Sequence, residues 1–464
     1  MSRTFKTVDY EATLNQTVRL GDCLPPDHLA RFIVDVVAQL DFAPIYARYA
    51  ARGGTPYAPE LLFGLLVYGY ATGVFSSRKI ERATYESAPF RFIAGNLHPD
   101  HDTLATFRKT FLPDLQDLFV QVLLLAQEMG VLKLGTISID GTQIHADASK
   151  SKAVSYKRLL ELEAQLRAEV AALFALGAQA DQGSLPDGLV VTDEIARREE
   201  RLKRLAEAKA VLEARAKERE AQEQAEYAVK LREREDKAKR SGKKPRSRPL
   251  SPPTPGPRDA DQYNFTAPDS RIMQNADKAF VQAYNGQAAV DAGGHQIIVG
   301  CLLSNQSADT PHLAPMVAQV QATTGRMPAE WSADAGCFSA DNVATIEQAG
   351  GTAYLPPDRQ AHAAQPLPAP VAQILAVAGL GPALADEPLT DNEVKAAMRA
   401  RLRTAAGRAA YGQRKERRGL RRFLLRGLAK VRGEWTLWCL THNLRKIVQA
   451  VRSSAEVRQR LVAT

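Results

Sequence analysis

Between Lys150 and Lys239 the chain carries two long stretches of helical period that are too charged to bury, so they must interrupt any compact core the rest builds. Leu159, Leu162, Leu166, Val170 and Leu173 recur at three- and four-residue steps, a single narrow stripe. Ile195, Leu202, Leu205 and Leu212 do the same within about Asp193 to Lys239, among dense Glu, Arg and Lys. The turn-rich Gly183-Ser184-Leu185-Pro186-Asp187-Gly188 separates them. The pattern predicts an antiparallel coiled-coil hairpin over residues 153–240. Ser241 to Arg258 follows, Pro-rich, basic and without aromatics, and predicts a disordered or extended linker over 241–260.

Ahead of this insertion the chain reads as helices. Leu29, Phe32, Ile33, Val36, Val37 and Leu40 follow a helical period. Pro59 to Tyr70 gives a second, very apolar helix with its proline in the first turn. Ser76 or Ser77 suits the cap of a third, and Asp102 the cap of a fourth running from Thr103 to Lys109. Short helices with basic, hydroxylated tips fit a helix-turn-helix-like DNA reader or a plain helical bundle equally. On the first reading, Arg78, Lys79, Thr103, Arg108 and Lys109 meet phosphates and base edges. This N-terminal helical domain is assigned to residues 1–130.

Two segments read as a strand-bearing core, residues 131–152 and 261–464. Thr136-Ile137-Ser138-Ile139-Asp140 is a short buried strand ending in an acid. Val281 to Asp291 and Gln296 to Leu303 flank Ala292-Gly293-Gly294-His295 as an antiparallel hairpin, with Asp291 at its turn. Thr310 to Thr323 is helical with Asp309 as its cap, and Trp331-Ser332-Ala333-Asp334 ends another short element. Asp341 to Gly350 is a helix and Thr352 to Leu355 a strand; the chain is helical and basic from Asn392 onward. Within that last stretch Trp435, Leu437 and Leu440 read as core. The whole is a multidomain α/β protein.

Charge narrows the partner. From Lys395 to Thr464 there are 19 Lys and Arg against three Glu, a local +16; the chain totals +9, so the remainder sums to −7. A basic block on an acidic chain points to a polyanion, most simply nucleic acid, with a solvated basic tail as the bland alternative. Arg417, Arg418, Arg421, Arg422 and Arg426 have the spacing of one basic helical face. Cys23, Cys301, Cys337 and Cys439 form no CxxC pair, which argues against a cysteine zinc site or a disulfide framework and favours a reducing compartment. The longest apolar stretch, Leu61 to Tyr70, is too short to cross a bilayer. The expected location is cytoplasmic, on the nucleoid, with no membrane partner.

Phosphoryl transfer to or from DNA needs two divalent cations about 3.5–4 Å apart, and magnesium takes a few carboxylates. Acids at the ends of neighbouring strands meet that need. Asp140 and Asp334 have this setting, although Asp-Gly alone commonly starts a turn. His145 and Asp147, two apart on a strand, read as metal ligands or, more simply, as a polar strand edge.

Several ordered strings resemble bacterial insertion-sequence transposases of the DDE type. They are Ile139-Asp140-Gly141-Thr142, Asn264-Phe265-Thr266, Pro268 to Met273, Gln282 to Gln287 with Val290-Asp291, Ala333-Asp334-Ala335-Gly336, Phe423 to Gly427, Gly433-Glu434-Trp435 and His442-Asn443-Leu444. The resemblance covers nearly the whole chain. It implies a ribonuclease-H-like catalytic core interrupted by the coiled-coil hairpin, with Asp140 and Asp334 as the first two metal-binding acids and Mg²⁺ or Mn²⁺ as cofactor. It also implies binding of double-stranded DNA, both terminal inverted repeats and target, as a homodimer, with strand cleavage and strand transfer. The family's Glu-Pro-x-aromatic-Gly segment is incomplete here: Tyr411-Gly412 matches, but Arg408 stands where the Glu is expected. Glu416 is then the nearest third carboxylate and Glu434 the other. A catalytically impaired remnant that only binds DNA is the alternative.

Overall fold

Before the first strand the described chain is helical, and one helix is apolar all round. The computed structural model describes residues 19–20, 22–49, 55–111, 114–180, 190–241, 250–274, 279–357, 391–402 and 420–463. Helices α1 (Leu29–Val37), α2 (Ala43–Tyr46), α3 (Pro59–Thr72), α4 (Ser77–Glu86), α5 (Ala88–Ile93), α6 (His101–Thr110) and α7 (Leu115–Glu128) follow one another. In α3, Leu62, Phe63, Leu65, Leu66, Val67, Tyr68 and Tyr70 are all buried, so it forms the centre of the layer rather than an amphipathic cover. Gly73, at φ 82°, ends it in the left-handed conformation that a side chain would resist. Asp100, not Asp102, caps α6: its carboxylate accepts from the Thr103 N–H at 2.6 Å. Asp102 lies inside the first turn, where a negative charge suits the helix dipole instead.

A mixed sheet follows. Strands β1 (Thr136–His145), β5 (Phe280–Asp291), β6 (Ile298–Ser304), β7 (Glu330–Ala333) and β8 (Thr352–Tyr354) run in the order β6-β5-β1-β7-β8. The β5–β6 and β1–β5 pairs are antiparallel, the β1–β7 and β7–β8 pairs parallel. Ile137, Ile139 and Ile144 of β1 are buried, as the alternating pattern requires. Asp291 sits where the hairpin turn begins, and its buried carboxylate accepts from the N–H groups of Lys133, Leu134 and Gly293, fixing the entry to β1.

Helix α10 (Leu313–Thr324) packs on β6, and α11 (Ala340–Gln348) connects β7 to β8. The long helix α13 (Leu428–Ser453) packs on α3, α7 and β6, so it joins the helical layer to the sheet. Its grip on the β5–β6 hairpin is polar as well as apolar. Asn443 accepts from Ile298 N–H at 2.8 Å and donates to its carbonyl at 2.7 Å. Trp435 donates to the Gln287 carbonyl at 3.2 Å and its ring lies against Gly286, where a Cβ would meet it at 3.1 Å. Trp435, Leu437 and Leu440 are core residues. Two further helices, α12 (Asp391–Leu402) and α14 (Ala455–Ala463), complete the described C-terminal part.

By contacts, residues 1–146 and 283–464 form one unit and residues 147–282 a second. The helical N-terminal region and the sheet thus share a unit. The second unit holds β2 (Ala153–Ser155), α8 (Tyr156–Ala180), α9 (Val191–Ser241), β3 (Gln262–Asn264) and β4 (Arg271–Gln274). Tyr156 meets Glu213, Glu163 meets Lys209 and Glu169 meets Arg198, so α8 and α9 run antiparallel. Their apolar contact is short: Leu159 and Leu166 with Leu205, Ala208 and Leu212, closed by Val154. Arg198–Glu169 and Lys209–Glu163 pair the two helices, while Glu194–Arg197, Glu200–Arg204 and Glu226–Lys230 are exposed pairs within α9, each worth little on its own. β2 pairs antiparallel with β3, an element the sequence pattern does not announce. The described end of the Pro-rich segment is extended and held along α9. Gly256 N–H donates to Glu220, Arg258 pairs with Glu223, and Arg219 binds both oxygens of Asp261.

Candidate active site

The central strand β1 pairs with β5 along one edge from Ile137 to His145. On its other edge it pairs with β7 only as far as Ile139, opposite Ala333. Asp140 and Asp334 are the next residue on each strand, so they leave two adjacent parallel strands side by side. Asp140 is half-buried and Asp334 exposed. The Asp334 carboxylate also accepts from the Gly336 N–H at 3.1 Å, which opens the tight turn Ala335–Cys337.

A third acid stands with them. Asp309 precedes a short turn, Thr310–His312, yet its side chain makes no cap hydrogen bond there. Instead its Oδ1 accepts from Asn285 Nδ2 at 2.7 Å and Gln287 Nε2 at 2.5 Å. The helix-cap expectation for Asp309 is therefore corrected: two buried amides of β5 outcompete the local backbone. Burial pushes the Cys337 thiol far up, and the charges of Asp334, Asp309 and Asp140 push it further. That thiol is a protonated, inert group, and it marks a point within electrostatic reach of all three acids.

The far end of β1 carries basic chain. His145 N–H donates to the Arg421 carbonyl at 3.1 Å, and Phe423 N–H donates to the His145 carbonyl at 2.9 Å. Because β5 fills the opposite edge at His145, this bridge uses the edge that β7 leaves after Ile139. Asp140 thus lies between the end of β7 and the Arg421–Phe423 segment. Phe423 is fully buried, with its ring edge-on to Tyr284, whereas Arg421, Arg422 and Arg426 are exposed.

Arg108 departs from its expected role. It is 6% exposed, and its guanidinium donates to the Tyr70 hydroxyl at 3.3 Å and the Phe75 carbonyl at 3.2 Å. It shares the inward face of α6 with Leu104 and Phe107, at three- and four-residue steps, so it is an internal partner and not a phosphate contact. Arg78, Lys79 and Lys109 are exposed and Thr103 half-buried. Glu416, Arg417 and Arg418 lie outside the described residues.

Glu434 is fully buried. Its oxygens accept from the N–H groups of Leu424 and Leu425 and from the Tyr70 hydroxyl at 3.0 Å. Burial raises its pKa, while the Arg108 charge and these hydrogen bonds pull it down. Its lone pairs hold the Phe423–Arg426 segment in place, a structural duty.

A family model for a transposase domain (DUF772) matches residues 18–110, and one for a transposase DDE domain matches residues 384–448. Both models describe transposase domains, and together they support an insertion-sequence DDE transposase. No curated protein and no solved structure is detectably similar to it. The first match covers the helices up to α6 of this transposase, and the second covers Arg421 to Arg426 and most of α13. As a class such transposases cut DNA and use divalent metal ions. The oxygen donors of Asp140 and Asp334 suit a hard cation of that kind. Among the described residues no three His, Cys, Asp or Glu side chains already stand in a metal-holding arrangement. No described helix of the transposase is long and apolar enough to cross a membrane.

Sequence reasoning missed Asp309, Asn285 and Gln287. The signal was two amides at i and i+2 on a largely buried strand, which places both on one side.

Proposed function

We propose that this transposase binds the ends of its element and cuts and rejoins DNA at Asp140 and Asp334. The observation that carries the reading is the Ile139–Ala333 register, which sets the two acids next to each other on neighbouring strands of a mixed sheet. That sheet, with Asp140 within its central strand and Asp334 just past the end of the parallel neighbour, supports a ribonuclease-H-like core. Mg²⁺ or Mn²⁺ held there would activate a water or a 3′-hydroxyl and steady the leaving oxygen. Asp140 and Asp334 would orient the scissile phosphate's surroundings. Arg421, Arg422 and Arg426, exposed beyond Asp140 on the same edge, would hold the flanking backbone. Arg78, Lys79, Thr103 and Lys109 would meet the terminal repeats. Pairing of two ends implies a homodimer, and the α8–α9 hairpin, read as a coiled coil, is a ready spacer within it.

One sequence observation favours a second reading. Arg408 stands in place of the family's usual Glu, so the chain would grip element ends without cutting; Glu416 is the substitute acid on the first reading. Purified protein, a duplex bearing the element end and Mg²⁺ or Mn²⁺ separate the two. Cleavage and joined products that vanish in Asp140→Ala while gel-shift binding persists support the enzyme. Binding without any cleavage by the natural sequence supports the second reading.

A further inference from the structure

The space between the two strand ends is already occupied by a carboxylate. A Cβ added at Gly141, the residue after Asp140, would lie 2.9 Å from Asp309 Oδ1. One added at Gly336 would lie 3.0 Å from Asp309 Oδ2 and 3.3 Å from Asp334 Oδ1. Asp309 therefore spans from one acid-bearing strand end to the other, and both glycines are needed to admit it. Its Oδ1 is fixed by two neutral amides, and its Oδ2 takes no hydrogen bond among the described residues.

A second observation is independent of the acids. Gln287 is 1% exposed, and its amide nitrogen is spent on Asp309 and Asn285. Its carboxamide lies against Gly141. Yet its Oε1 has no hydrogen-bond partner among the described residues. A buried acceptor left unpaired costs about 1–3 kcal/mol. Beside that acceptor, the Asp309 carboxylate reaches both Gly141 and Gly336, so it gathers negative charge with Asp140 and Asp334. A hard cation, with any water it keeps, answers both: it takes carboxylate oxygens and turns its bound water toward a carbonyl oxygen.

We propose that Asp309 is a third carboxylate of the divalent-cation site formed with Asp140 and Asp334, with Gln287 Oε1 as the acceptor for that cation or its water. The proposal rests on the transposase reading of Asp140 and Asp334. On this account Asn285 and Gln287 are positioning residues that hold the Asp309 carboxylate by one oxygen and leave the other for the metal. Because no three of these groups stand in a ligating arrangement as described, metal binding draws Oδ2 inward by rotation of one side chain.

The test is Mn²⁺ titration by calorimetry on the full chain without DNA, together with the rise in melting temperature that Mn²⁺ produces. Asp309→Asn should weaken Mn²⁺ binding by about tenfold or more and shrink the melting shift. Asp341→Asn, which neutralises an exposed carboxylate on α11, should do neither. If Asp309→Asn does not fold, Gln287→Met keeps every carboxylate but removes one anchor and the acceptor, and should still weaken binding about tenfold. Asp309→Asn, or Gln287→Met in its stead, binding Mn²⁺ like the natural sequence overturns the proposal, as does an equal loss in Asp341→Asn. If the natural sequence and Asp140→Asn both fail to bind Mn²⁺, the underlying reading of Asp140 and Asp334 falls instead.

Discussion

The Tyr70 hydroxyl donates to the Glu434 carboxylate at 3.0 Å, joining α3 to α13 across 364 residues of sequence. Arg108 closes the group from α6. Glu434→Ala would leave Arg108 as a buried charge without its counter-charge and two N–H groups without an acceptor. The expected cost is about 3–5 kcal/mol, read as a fall in the urea midpoint. Tyr70→Phe removes one hydrogen bond and should cost about 1 kcal/mol.

The same carboxyl predicts a pH dependence. Burial raises its pKa above the ordinary 4.5 despite the Arg108 charge. The folded state then holds this proton more tightly than the unfolded chain. The stabilising contribution is complete below about 4.5 and is lost as pH rises through the raised folded value. Denaturant melts between mild acid and neutrality should show a downward component in the natural sequence that Glu434→Gln lacks.

Replacing Asp140 or Asp334 by Asn should reduce strand cleavage by at least about 10³-fold while leaving DNA affinity within about twofold. Asp140 is half-buried, Asp334 is exposed and neither anchors the core, so melting temperature should hold. A variant that retains cleavage at the natural rate would contradict the site.

Exposed and buried arginines should separate cleanly. Arg421→Ala and Arg422→Ala should each weaken DNA binding across all sequences and flatten the salt dependence by about one unit in the log–log slope. Arg108→Ala should lower stability and leave that slope unchanged, because its guanidinium already serves Tyr70 and Phe75.

Much of this was legible in the sequence for definite reasons. Periodicity gave α1, the α8–α9 hairpin and the β5–β6 pair, because each buries a regular stripe, whereas α3 showed as a continuous apolar run behind a first-turn proline. Asp140 and Asp334 could be named because the resemblance to insertion-sequence transposases singles them out; their local setting alone, an acid after an apolar run, also fits the start of a turn. Asp309 could not: an acid before Thr-Pro looks like a cap, and only the tertiary approach of Asn285 and Gln287 shows otherwise. Arg108 was misplaced because its charge outweighed its position, although Leu104, Phe107 and Arg108 share one helical face. β2 and β3 were too short to leave a pattern, and beside their pairing Asn264 donates to the Ser149 carbonyl.

Helix α13 fills the gap between α3, α7 and β6. Without it the sheet's cover would be missing and the arginine-bearing segment ahead of it would have no buried glutamate to fasten it. One helix therefore ties the burial of the sheet to the placement of Arg421 and Arg422, so damage to its packing would reach both at once.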